Sequence, residues 1–142
     1  MPEMTPTQAD AFLREARIAK LATLNADGSP TIVPVWFEWD GSTAAVFSDN
    51  PSAKLRRIAR DNRVALSVEE GVGVPEAWVT IEGIATVEDG GIELARRLTP
   101  RYYTPERAAR ALAAWERAAG RIALIRITPT RIRSTTSESP GG

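Results

Sequence analysis

Asp27-Gly-Ser-Pro-Thr-Ile-Val-Pro-Val-Trp-Phe-Glu-Trp-Asp40-Gly41, then an apolar run ending at Ser48, then Asn50-Pro-Ser-Ala-Lys-Leu-Arg-Arg57, is the stretch on which the fold turns. The tight-turn signal at Asp40-Gly41 predicts a hairpin, with one strand over Thr31–Trp39 and the next over Ala44–Ser48. Pro34 has no N–H to give to a ladder, so its strand is expected at an edge or a bulge. The basic segment reads as a short helix reaching about Arg60, capped by Asn50 with Pro51 at the first helical position. That start leaves the Ser52, Ala53 and Lys54 amides without intrahelical partners, and such a terminus attracts anions. Small side chains at Ser52 and Ala53 admit a phosphate. The Ser52 hydroxyl adds a donor, Lys54 a point charge, and Arg57, one turn on, reaches the same oxygens. The same residues also read as an amphipathic helix with solvated arginines, Leu55 and Ile58 being in the core.

In the preceding strand, Val33-Pro34-Val35 offers an apolar wall and free backbone groups to a flat ring; a barrel-lining strand with a protective proline is the competing reading. Trp36, Trp39 and Trp78 read individually as packing aromatics. Ser67, Glu69, Glu70 and Glu82 are not paired in the sequence and receive no catalytic role.

Outside this stretch the punctuation is regular. Thr5, Pro6 and Gln8 form a capping box at the start of a helix whose apolar face is Ala9, Phe12, Leu13 and Ala16. Residues 18–24 read as a strand and Asn25–Gly28 as a turn. Arg63–Glu69 and Trp78–Glu88 read as strands joined by the Gly71–Pro75 loop, with a bulge expected at Gly83. Helices follow over about Ile92–Leu98 and Pro105–Ala119, the second burying Ala108, Leu112 and Trp115 and ending at Gly120. Arg121–Thr128 is the last clear strand, extendable through Ile132. The organisation expected is one domain over residues 1–134 with a disordered tail over 135–142. Six strands, mostly in hairpins, with flanking helices predict an α+β fold built on an antiparallel β-barrel.

Composition narrows the chemistry. Among 142 residues there is neither cysteine nor histidine. Thiol nucleophiles, disulfides, and histidine-dependent triads or metal sites are thereby excluded. No loop spaces carboxylates for an oxygen-ligated cation, so no metal site is assigned. The 18 basic and 18 acidic residues balance, which gives no argument for nucleic acid or a membrane surface. Without a long apolar run or a leader pattern, the cytoplasm is the expected compartment. An enzyme of this composition takes its reactive group from a cofactor.

The ordered set of segments resembles the split β-barrel flavin and deazaflavin oxidoreductases related to pyridoxamine 5′-phosphate oxidase. Leu21–Pro30, Val33-Pro-Val-Trp-Phe37, Asp40-Gly41, Ser52–Ile58, Arg60–Leu66 and Val79–Ala85 carry the resemblance. It implies a six-stranded split barrel that forms a homodimer with cofactor at the subunit interface. It also implies a cofactor phosphate on the helix start, with Lys54 as the principal charge and Ser52, Ala53 and Arg57 beside it. The ring would lie against Val33, Pro34 and Val35 with Phe47 and Ser48 nearby, and Trp78 would approach from the partner subunit. Family members often carry a basic residue just before the lysine, where this chain has Ala53. The Pro-Val-Trp-Phe version resembles the branch that uses coenzyme F420. The function expected is hydride transfer between reduced F420 and a conjugated substrate such as a quinone, an enone or a tetrapyrrole like biliverdin. FMN-dependent oxidase or reductase chemistry and non-catalytic binding of a flavin, F420 or haem stand as alternatives, and no catalytic side chain is legible.

Overall fold

A computed structural model describes residues 1–118 and 121–137. Its elements run α1 (Pro6–Arg14), β1 (Ala19–Leu24), β2 (Pro30–Val35), β3 (Glu38–Trp39), β4 (Ala44–Asp49) and α2 (Ala53–Arg60). They continue with β5 (Arg63–Glu69), β6 (Ala77–Glu88), α3 (Gly91–Tyr102), α4 (Pro105–Glu116) and β7 (Ile122–Thr136). All pairings are antiparallel, in the order β2-β1-β5-β6-β7-β4-β3. The curled sheet and its flanking helices make an α+β split barrel.

The expected strand Thr31–Trp39 is two strands, which raises the count from six to seven. β2 pairs only with β1 and β3 only with β4, so they occupy the two opposite edges of the sheet. Trp36 and Phe37 carry the chain from one edge to the other, and this crossing closes the barrel. Phe37 turns inward, 1% exposed, into the main core with Leu21, Leu66, Val79 and Ile125. Pro34 sits on the edge strand opposite Lys20, where its missing N–H leaves no ladder bond broken on the outer side.

Local signals account for the rest. Thr5 and Gln8 form the reciprocal capping box, and α1 buries Phe12 and Leu13; the helix stops at Arg14, so Ala16 lies beyond it and is exposed. β1 alternates, with Ala19, Leu21 and Thr23 inward. The bulge at Gly83 is present between Glu82 and Gly83. A Cβ there would lie 2.5 Å from the Thr128 carbonyl oxygen, so the close approach of β6 and β7 requires glycine.

Three boundaries differ from expectation. α2 begins at Ala53 with Ser52 as its cap, not Asn50, because the Ser52 hydroxyl accepts from the Leu55 amide at 3.2 Å. Pro51 therefore precedes the helix. α3 runs on to Tyr102, with Pro100 inside its last turn. β7 extends through Thr136, since Ser134, Thr135 and Thr136 pair with Val79, Trp78 and Ala77, so residues 135 and 136, expected in a disordered tail, belong to the strand. The helix stop expected at Gly120 and residues 138–142 lie outside the described residues. Among the described residues no helix is long and apolar enough to cross a membrane.

Candidate functional site

Closing the barrel through Trp36 brings one edge of the sheet against α2 and the α3–α4 hairpin. A groove of about 400 Å³ opens between them, lined by Ile18, Pro34, Val35, Trp36, Phe47, Lys54, Tyr103 and Trp115. That is an ordinary size for a small-molecule site.

Trp36 organises the walls. Its ring stacks on Tyr102, centroids 4.8 Å apart and planes 4° from parallel. Tyr103 meets it edge-on at 4.7 Å, and Trp115 and Phe47 each meet it edge-on at 6.0 Å. Phe47 and Trp115 contact each other at 5.2 Å. The offset and T-shaped arrangements are those that aromatic quadrupoles favour. The Tyr102 hydroxyl donates to the Arg17 carbonyl at 2.8 Å, and burial pushes its pKa up.

Lys54 is the charged group of the groove. It is half-buried in the first turn of α2, and among the described residues no carboxylate forms an ion pair with it. The Ala53 and Lys54 amides occupy the first two helical positions, where an α-helix has no internal acceptor, while Ser52 satisfies the Leu55 amide. Among the described residues, an ammonium with no counter-ion beside helix-start amides and a short Ala53 side chain suits a phosphate group. Apolar and aromatic walls next to it suit a flat ring.

The sequence-derived candidates divide here. Pro34, Val35, Phe47 and Lys54 come together in the groove, and Ala53 stands beside them at the helix start. Val33, opposite Leu21 and on the same strand face as Val35, packs against the main core and does not line the groove. Ser48 is 4% exposed and shares a 3.0 Å hydrogen bond with Ser52, so these two hydroxyls serve the β4–α2 junction. Arg57 donates through Nε to Thr23 Oγ1 at 2.6 Å, which ties it to β1. Trp78 lies on β6 between Glu69 and Thr135, three strands from β2, and does not line this groove. Ile18, Trp36, Tyr103 and Trp115 were missed as lining residues, Trp36 having been read as a packing aromatic. A tandem Tyr102-Tyr103 at a helix junction was the one available signal for them.

Comparison with known proteins gives the following. The family model described as pyridoxamine 5′-phosphate oxidase matches residues 5–136. A biliverdin reductase of Mycobacterium tuberculosis that depends on reduced F420 is 36% identical over 100 residues, 67% of this chain and 70% of that protein. A conserved hypothetical protein of M. tuberculosis superposes with a TM-score of 0.74 at 25% identity, covering 98% of this chain and 93% of the other. An F420 reductase superposes with a TM-score of 0.68 at 22% identity, covering 87% and 94%.

Proposed function

The chain is an oxidoreductase of the pyridoxamine 5′-phosphate oxidase family, and from that premise we propose that it binds reduced coenzyme F420 in the Lys54 groove and reduces a planar, conjugated organic substrate there. The observation that carries this reading is the unpaired Lys54 ammonium at the end of an aromatic groove. The similarity to a reductase dependent on reduced F420 supports the deazaflavin reading over FMN.

When bound, the cofactor supplies the hydride. The chain's own residues do the rest. Lys54 and the Ala53 and Lys54 amides hold the phosphate. Pro34, Val35, Trp36 and Phe47 orient a ring and keep water from it, so that the reacting partners meet with little reorganisation. Among the described residues no carboxylate lines the groove, and the proton that completes the reduction comes from solvent or the cofactor. The reading includes a homodimer. The outer face of the sheet exposes Ile32, 64% accessible, beside Ala22, and carries an apolar hollow with Leu24, Ala65 and Ile84 that a second copy would cover.

The test is a fluorescence titration of the full chain with F420 and, separately, with FMN. Removing one charge-assisted contact costs about 1.5–3 kcal/mol, so Lys54→Ala is expected to raise the F420 Kd about 10- to 100-fold. An unchanged Kd overturns the phosphate assignment. A preference for FMN moves the protein to flavin chemistry, and tight binding without hydride transfer to any acceptor makes it a cofactor carrier.

A further inference from the structure

A second cation stands beside the groove, in contact with one of its lining residues. Arg107, in the first turn of α4, lies over the Tyr103 ring with its guanidinium carbon 3.9 Å from the centroid, and donates to the Tyr103 hydroxyl at 3.3 Å. Tyr103 lines the groove, so Arg107 stands at its rim on the side of the α3–α4 hairpin. The three arginines of α3 are engaged. Arg96 pairs with Glu116, Arg97 with Glu38, and Arg101 donates to the Arg14 carbonyl. Among the described residues Arg107 has no carboxylate partner, although its fork is shaped for one. Stacking on Tyr103 pre-orients the guanidinium without consuming its charge.

We propose that Arg107 is the carboxylate-recognising residue of a substrate subsite walled by Tyr103 and Trp115, and that the substrate is a planar conjugated molecule carrying at least one carboxylate. This rests on the reading of the groove as a reductase site and names the substrate class it accepts. The two cations then have separate tasks: Lys54 takes the cofactor phosphate from the α2 side and Arg107 takes the substrate carboxylate from the α4 side. A purely structural role for Arg107, as a brace of the α3–α4 turn, predicts no dependence on the charge of the ligand.

The experiment uses the full chain, with and without F420, and two probes that differ in charge: biliverdin, which has two propionates, and its dimethyl ester. Binding is followed by quenching of tryptophan fluorescence, since Trp36 and Trp115 line the groove. The acid is expected to bind about tenfold tighter than the ester, as one charge-assisted contact provides, with the margin shrinking in salt. Arg107→Gln should remove that preference and raise KM for biliverdin, and Arg107→Lys should restore part of it. Equal affinity of the wild type for acid and ester, or a preference that survives in Arg107→Gln, overturns the proposal. F420 affinity is measured on the same samples. Loss of F420 binding in the wild type with the acid preference intact refutes the cofactor reading and leaves the carboxylate subsite standing.

Discussion

Replacing Trp36 by alanine tests whether the aromatic cluster is what fastens the α3–α4 hairpin to the barrel. The side chain is half-buried and touches four rings: Tyr102 by stacking at 4.8 Å, Tyr103 edge-on at 4.7 Å, and Phe47 and Trp115 edge-on at 6.0 Å. A fully buried tryptophan lost to alanine costs about 3–5 kcal/mol. Half burial brings the transfer part down, while each ring pair adds about 0.5–1.5 kcal/mol beyond area, without simple additivity. A loss of about 2–3 kcal/mol results. At this chain length each kcal/mol moves Tm by about 3–4 °C, so a fall of roughly 6–12 °C is expected by calorimetry or circular dichroism. Trp36→Phe keeps a ring against Tyr102 and should lose about half as much. A second readout is local. Burial raises the Tyr102 pKa, so opening the cluster should bring its titration, followed by ultraviolet absorbance, back toward the ordinary tyrosine value. A Tm within about 2 °C of wild type, together with an unmoved Tyr102, would refute the idea that Trp36 joins the two layers.

Two further outcomes concern the scaffold. Gly83→Ala places a Cβ 2.5 Å from the Thr128 carbonyl oxygen and 2.9 Å from Ile127 Cγ2, and the backbone of β7 cannot yield cheaply. It should cost about 3 kcal/mol, seen as a Tm drop of roughly 10 °C; a neutral result would mean that the strands separate freely at the bulge. The pH dependence follows from the carboxylates. Arg14 and then the Trp39 indole hold Asp10 below the ordinary value, Arg17 holds Glu70 below it, and Arg63 lowers Asp61 to about 2 from 3.8. A depressed folded-state pKa contributes stability that is present above the unfolded value and lost as pH falls through the folded one. Tm should therefore be flat from about pH 5.5 to 8, where the chain has no histidine to titrate, and fall between about pH 4.5 and 2. A transition centred near pH 6.5 in a Tm–pH series would contradict this origin.

Much of the architecture was written in short-range signals. The Thr5–Gln8 capping box, the Asp40-Gly41 turn, the Gly83 bulge and the strand read over residues 18–24 each depend on residues close together in the chain, and each took the expected form. The α2 start was placed correctly as a basic terminus but capped one turn-forming residue set too early. Both Asn50 and Ser52 are good caps, and the choice between them depends on Ser48, across the β4–α2 junction, holding the Ser52 hydroxyl. Arg57 and Val33 were expected beside the cofactor from spacing and from the family resemblance; in the folded chain Arg57 bonds to Thr23 and Val33 lies opposite Leu21. Spacing carries no record of those β1 neighbours.

The sequence by itself determined the class of chemistry: without cysteine or histidine, and with one lysine at the start of a helix, reactivity is borrowed and the chain's part is to bind and orient. Tertiary structure decided where that happens. Nothing local in Val33-Pro-Val-Trp-Phe37 says that its two ends belong to opposite edges of one sheet. Only closure of the barrel, driven by burying Phe37 in the core, turns Trp36 outward and lets Tyr103 and Trp115 from a distant hairpin meet Lys54 across a groove. Strand pairing and burial are settled over the whole sheet at once, so the site's walls became legible only in the folded chain.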